Sequence, residues 1–141
     1  MSSTGTSAAT SHLSLADGLI ETAKISRDCS EYDMRNAYSR SYYALFHVCH
    51  GYLRAAGVDI KSPVQKHSTH GALHAEMGRQ MGRWFGWLIK GAWELRCRSD
   101  YDPEWPVPLH YSCVKQLEEA RSQYHSVRRN FPGHSRRSRQ G

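Results

Sequence analysis

Five polar side chains fall on one side of a single helical stretch in the first half of the chain. Arg40, Tyr43, His47, His50 and Arg54 are spaced three, four, three and four residues apart. That spacing stacks them along one face of an α-helix. The face offers two permanent cations, two titratable imidazoles and a phenol. Imidazole is the side chain best matched to proton transfer near neutral pH, and guanidinium forks suit phosphate oxygens. The same five residues also fit an ordinary wet helix face, partly packed on a neighbour.

A second group is the run Arg96-Cys97-Arg98-Ser99-Asp100-Tyr101. Arg96 and Asp100 are four apart and can pair along a helix, an interaction worth only a few tenths of a kcal/mol at a surface. Tyr101 stands beside a helix break, where its ring can stack on a base or cover the core. His67, His70 and His74 can share a helix face, but no carboxylate or thiolate lies near them in sequence, so no metal is assigned. The aromatic cluster Trp84, Phe85, Trp87 and Trp93 can stack bases, although core or dimer contact fits it better.

These groups need helices to position them, and the apolar periodicity supplies helices throughout. The first is expected over about Leu15–Asp28, capped by Ser14 with Asp17 at its third position. Ser30 with Asp33 repeats that capping pattern. Met34, Ala37/Tyr38, Ser41, Leu45, Val48/Cys49, Tyr52 and Ala56 then recur every three to four residues, and Gly57 marks the stop. A connection containing Pro63 follows, then a short helix around 69–81 ending in a looser turn. The Trp-rich stretch forms a helix running into Arg98, broken at Asp102-Pro103. The last helix keeps its period from about Leu109 to Arg129. No alternating β pattern and no repeat interrupts this series. The fold class read from it is all-α, an antiparallel four- to five-helix bundle over residues 12–130.

Outside the bundle, residues 1–11 are almost entirely Ser, Thr, Gly and Ala, and residues 131–141 are basic and polar, the composition of tails. No apolar run approaches the ~20 residues that span a bilayer, and no secretory leader pattern opens the chain. Four widely separated cysteines without zinc-finger spacing suit a reducing cytoplasm. The formal charge of +6 and a pI near 9.3 are compatible with a polyanion partner. Much of the surplus, from Arg128 to Arg139, sits at or beyond the last helix, where a solubilising tail explains it as well.

The string Arg35-Asn36-Ala37-Tyr38-Ser39-Arg40-Ser41-Tyr42-Tyr43-Ala44-Leu45-Phe46-His47 resembles the signature helix of the HEPN-domain superfamily. The later Leu95–Pro103 segment, LRCRSDYDP, resembles that family's LRNxADYxP stretch, and Thr69-His70-Gly71 is similar to a histidine-bearing stretch between them. The resemblance implies a helical bundle that pairs two protomers around a metal-independent ribonuclease site built from Arg-x4–6-His motifs. In such sites the arginine holds the scissile phosphate, and the histidine assists attack by the 2′-hydroxyl or departure of the 5′ oxygen. Many such proteins are toxins of toxin–antitoxin pairs or phage-defence effectors, often encoded with a small nucleotidyltransferase that neutralises them.

Carried over by position, Arg96 matches the motif arginine and Cys97 the polar place after it. No histidine stands five to seven residues later; Tyr101, Asp102 and Pro103 occupy those places. The chain thus resembles the RxxxDY branch, and Asp100, facing an arginine, makes a poor proton donor in the histidine's stead. The resulting expectation is a cytoplasmic homodimer acting on RNA as a metal-independent endoribonuclease without cofactors. Its catalytic set is Arg96, His47, Asp100 and Tyr101, and its RNA contacts are Arg40, Tyr43, His50 and Arg98. The alternative expectation is a non-catalytic HEPN adaptor that binds a nucleotide, an RNA or a nucleotidyltransferase partner.

Overall fold

The hydrophobic periodicity resolves, in a computed structural model, into five helices: α1 (Ser2–Thr22), α2 (Glu31–Ala55), α3 (Thr69–Met81), α4 (Arg83–Tyr101) and α5 (His110–Arg129). Residues 2–24, 29–60 and 69–132 are described. Among them there is no strand, and the helices pack as an all-α bundle. No described helix is long and apolar enough to cross a membrane.

Helix α2 is the hub, in contact with each of the other four. Its row Tyr42, Leu45, Val48, Cys49 and Leu53 is wholly excluded from solvent, and each such side chain contributes roughly 1.5–3 kcal/mol by leaving water. Both of its ends are defined as the sequence implied. Ser30 accepts the Asp33 amide while Asp33 accepts the Ser30 amide, a reciprocal capping box. At the other end Gly57 adopts φ 81°, and Val58 and Gly57 donate back to the Leu53 and Arg54 carbonyls. This is the paired closure of a Schellman motif, which needs a left-handed residue at that place.

Helix α1 departs from expectation. It begins at Ser2, through the stretch whose composition read as a tail, and stops at Thr22, short of Asp28; residues 25–28 lie outside the described ones. The reason is tertiary. Ala9 is buried, and a Cβ at Gly51 would stand 3.1 Å from the Ala9 carbonyl oxygen and 3.3 Å from His12 Cβ. The bare main chain of Gly51 lets the small-residue helix lie directly on α2, and that packing outweighs weak helix propensity. Asp17, expected to cap α1, instead accepts from the Tyr124 hydroxyl and from Arg128 (Nη2–Oδ2 2.9 Å), tying α1 to α5.

Between α3 and α4 the chain turns at Gly82, φ 105°, so the glycines 78, 82 and 86 do not share one helix. Gly78 and Gly86 instead face each other across the two helices: a Cβ at Gly86 would stand 3.2 Å from Gly78 Cα. The expected connection around Pro63 lies outside the described residues, as do residues 133–141 of the basic tail expected over 131–141; Phe131, at the start of that tail, is instead buried in the main core.

The C-terminal end of α4 is held by one side chain of α2. Arg35 Nη1 donates toward the carbonyls of Arg98 (3.1 Å), Ser99 (3.0 Å) and Asp102 (2.9 Å), and its Nη2 donates to that of Trp105 (3.0 Å). Its Nε pairs with Glu31 at 3.0 Å, and the guanidinium lies 5.7 Å from the Trp105 ring centroid. The last carbonyls of a helix have no partner within it, so Arg35 acts as a cap supplied from outside. Arg35→Ala is expected to lower the unfolding free energy by about 3 kcal/mol, since charged hydrogen bonds each contribute roughly 1.5–3 kcal/mol. Arg35→Lys should recover less than half of that, because an ammonium cannot span the four acceptors. Urea unfolding monitored by circular dichroism measures both, and equal stability of the alanine variant and the parent would disprove the role.

Candidate functional site

Arg96 lies on the inward face of α4, only 8% exposed. Its Nη2 donates to the Tyr43 hydroxyl at 2.6 Å and reaches the Tyr101 hydroxyl at 3.5 Å. The guanidinium also sits against both rings, 5.1 Å from the Tyr43 centroid and 5.3 Å from that of Tyr101. Such cation–π contacts contribute about 0.5–2 kcal/mol each, more as water is removed. Asp100 completes the set, with its Oδ2 3.2 Å from Arg96 Nε. That nitrogen has no hydrogen bond of good alignment among the described residues, so the pairing is one of charge rather than a directed bond. Ser39 Oγ donates to the same carboxylate at 3.2 Å, which returns the network to α2.

Arg96, Asp100, Tyr101 and Tyr43, four of the residues selected from sequence, therefore form one cluster. Tyr101 is its solvent face, 73% exposed. Arg98 is exposed on the same turn, and its carbonyl is one of those held by Arg35. Arg40 stands elsewhere: exposed, it lines a polar hollow of about 380 Å³ with Lys24, Asp33 and Asn36.

His47 and His50 join a different group. His47 Nδ1 lies 3.0 Å from Nδ1 of His12, and the His12 and His50 rings stack with centroids 4.0 Å apart. A nitrogen–nitrogen contact of that length requires one ring to donate and the other to accept, so the two imidazoles cannot both be charged. His12 lies inside the expected bundle but ahead of the helix expected from Leu15, and no signal in its neighbourhood pointed to α2. Burial, with the neighbouring His12, Arg54 and His47, depresses His50 to about 4; burial followed by the charge of His12 lowers His47. Among the described residues no hydrogen bond, ion pair or ring contact joins His47 to Arg96.

Two further imidazoles, on α3, are linked to the arginine cluster through Tyr42. The buried Tyr42 hydroxyl lies 2.7 Å from His70 Nδ1 and 2.9 Å from His74 Nε2. A phenol has one proton to donate, so one ring accepts from Tyr42 and the other donates to it. Burial pushes the Tyr42 phenol well above its usual range, so it stays protonated. Burial and the charge of Arg96 lower His70, while burial, with His70 and Lys90 nearby, brings His74 to about 4. The Tyr42 ring in turn meets Tyr43 edge-on at 5.7 Å, which links this triad to the arginine cluster. Sequence reasoning weighed His70 and His74 as metal ligands; here Tyr42 engages a nitrogen of each, and His67 lies outside the described residues.

The arrangement holds a cation among aromatic rings beside neutral imidazoles, a combination able to contact a phosphate ester and to accept a proton. Compared with family models, curated proteins and solved structures, the chain matches none.

The histidines make stability depend on pH in a definite sense. His50 and His74 titrate near 4 when folded and near 6.5 when unfolded, so below the latter value the unfolded chain binds more protons and folding weakens. Their contribution is complete above about pH 6.5 and is lost as pH falls toward 4. Discounted for solvent screening, the loss amounts to roughly 1–2 kcal/mol per imidazole. Urea midpoints measured from pH 7 to pH 4 should fall accordingly, and His50→Gln or His74→Gln should flatten the slope. A slope that neither variant changes would show that the imidazoles are not held neutral.

Proposed function

We propose that this chain is a HEPN-like protein that acts on RNA, with Arg96 and its flanking tyrosines as the contact point for the strand. One observation carries the reading: the two segments that motivated it meet. Ser39 and Tyr43 of the SRSYYALFH run bond directly to Asp100 and Arg96 of the LRCRSDYDP run. Exposed Tyr101 offers a ring face, and base–aromatic stacking contributes about 1–3 kcal/mol per base. Arg98 beside it and the net charge of +6 favour a polyanion. A phosphate oxygen would compete with Asp100 for the Nε edge of Arg96, which lacks an aligned partner.

Within this proposal, cleavage is metal-independent and proceeds by attack of the 2′-hydroxyl, with a neutral imidazole as base. His70 is the better candidate, because it bonds Tyr42, whose ring meets that of Tyr43, the acceptor of Arg96; His47, the assignment made from sequence, belongs to the His12 group. A non-catalytic adaptor is the second reading, favoured by the ion pair that already occupies Arg96. The toxin or defence role, a second copy of the chain and a nucleotidyltransferase partner belong to the same proposal. Sedimentation velocity, alone and with the protein of any adjacent nucleotidyltransferase gene, reads the last two.

RNA binding should be salt-dependent and weakened about tenfold or more by Tyr101→Ala, measured by fluorescence anisotropy with a single-stranded oligonucleotide. Arg96→Lys, which keeps the charge but not the fork, should weaken it further. Parent protein that binds no RNA at low salt, or a Tyr101→Ala variant that binds as the parent does, would refute the reading. Incubation with RNA and EDTA then separates its two forms. Products ending in cyclic phosphate, lost in His70→Ala but retained in His47→Ala, support the enzyme. Intact RNA in a stable complex supports the adaptor.

A further inference from the structure

A concavity of about 540 Å³ lies away from the arginine cluster, between α3 and α4. That is within the range of small-ligand pockets, roughly 300–1,000 Å³. Its character is set by three features. First, Gly78 and Gly86 bring the two helices into main-chain contact along its lining, so no side chain fills the slot there. Second, Trp87 and Trp93 supply the flat surfaces. Trp87 is 61% exposed, an unusual state for so large an apolar ring, and Trp84 packs against it with ring centroids 6.5 Å apart. Third, Arg79, Arg83 and Lys90 all line the space, and among the described lining residues there is no carboxylate. Glu76 pairs with Arg79 but is outside the lining.

We infer that the α3–α4 cleft is a binding site for a small planar aromatic anion, its ring lodged at Trp87 and Trp93 and its acid group met by Arg83 and Lys90. The charge disfavours the obvious competitor, a second copy of the chain seated on the same face, because Arg83 and Lys90 would approach the same two cations of the copy. The volume suits a ring-bearing small molecule. The Trp93 indole N–H is buried without a hydrogen-bond partner among the described residues. Buried donors are rarely left so, and an acidic ligand brings the acceptor it lacks. Lys90 is close enough to lower the basicity of His74, which also lines the cleft, so the positive field extends into the pocket. None of the described groups that line it belongs to the Arg96 cluster.

Three naphthalenes that differ only in charge test the inference by calorimetry on the full chain: 1-naphthoate, 1-naphthalenemethanol and 1-naphthylmethylamine. Naphthoate should bind about tenfold or more tightly than the alcohol, and the amine should not bind. The double variant Arg83→Gln, Lys90→Gln should bring naphthoate down to the affinity of the alcohol. Ala75→Phe, at an exposed lining position, should block both while leaving the circular dichroism spectrum and Tm unchanged. Trp87→Ala, an exposed change, gives a second route to the same loss if the phenylalanine perturbs folding. Equal binding of all three compounds would reduce the cleft to a greasy patch and overturn the inference. So would naphthoate affinity indifferent to Ala75→Phe and Trp87→Ala, or no binding by the parent protein.

Discussion

The fork of Arg35 on the end of α4 is the constraint from which the rest of the arginine cluster follows. Four main-chain carbonyls, from Arg98 to Trp105, converge on one guanidinium that itself belongs to α2. Their convergence on one planar group ties the extent of α4 and its rotation about its axis to the position of Arg35 on α2. With that register set, Arg96 falls one to two turns back from the anchored end, level with Tyr43. The same anchor holds Trp105 against Tyr38, with ring centroids 5.9 Å apart, and so closes the smaller core cluster of Ala37, Cys113 and Leu117. Packing alone would allow neighbouring registers, since the apolar rows of α2 and α4 repeat every turn; the directional bonds of a planar cation remove that freedom.

A second theme is that a basic protein keeps its buried histidines neutral. Arg54 lies near the His12, His47 and His50 group, Arg96 near His70, and Lys90 near His74, and each of these cations opposes protonation of its neighbours. Burial acts in the same direction and is the larger cause throughout. The imidazoles are thereby left as neutral donor–acceptor groups, and they are used as such: His12 with His47 between α1 and α2, and His70 with His74 around Tyr42 between α2 and α3. Two of the four helix contacts of α2 therefore contain polar bonds that would be lost or rearranged if both rings of a pair became charged.

Much of this was legible in the sequence, for reasons that differ by element. The limits of α2 were readable because both rest on local chemistry, the Ser30–Asp33 box and the left-handed Gly57, which require nothing from the remainder of the chain. The α3–α4 turn was readable because three glycines weaken a helix wherever they sit. The pairing of Arg96 with Asp100 followed from helical spacing; Tyr43 was placed by spacing on the face of Arg40, His47, His50 and Arg54, and the resemblance brought that helix and Arg96 into one expected site. What could not be read was set by tertiary contact. Helix α1 extends to Ser2 because Gly51, far away in sequence, makes room for it. The face from Arg40 to Arg54 is continuous on α2 but is divided by what packs on it: the hollow beside Arg40, the arginine cluster at Tyr43 and the His12 imidazole at His47 and His50. Periodicity assigns residues to a face and carries no record of which neighbour covers each turn.

Helix α4 brings the two candidate sites onto one rigid element, and the residues between them form an unbroken series. Trp93 lines the cleft and has its ring 6.0 Å from His74 and 6.3 Å from His70. Those two bracket the Tyr42 hydroxyl, Tyr42 meets Tyr43, and Tyr43 accepts from Arg96. Spatial continuity does not itself transmit anything; coupling needs an element with two discrete states that both sites can bias. The His70–Tyr42–His74 triad has that property by its chemistry. One phenol proton points to one imidazole or to the other, and each choice fixes the opposite tautomer in the pair. A ligand engaging His74 from the cleft would favour one order, and an anion drawn to Arg96 would change the field at His70. The two orders differ by the placement of protons rather than of heavy atoms, so either can be adopted without disturbing the packing that α2 organises.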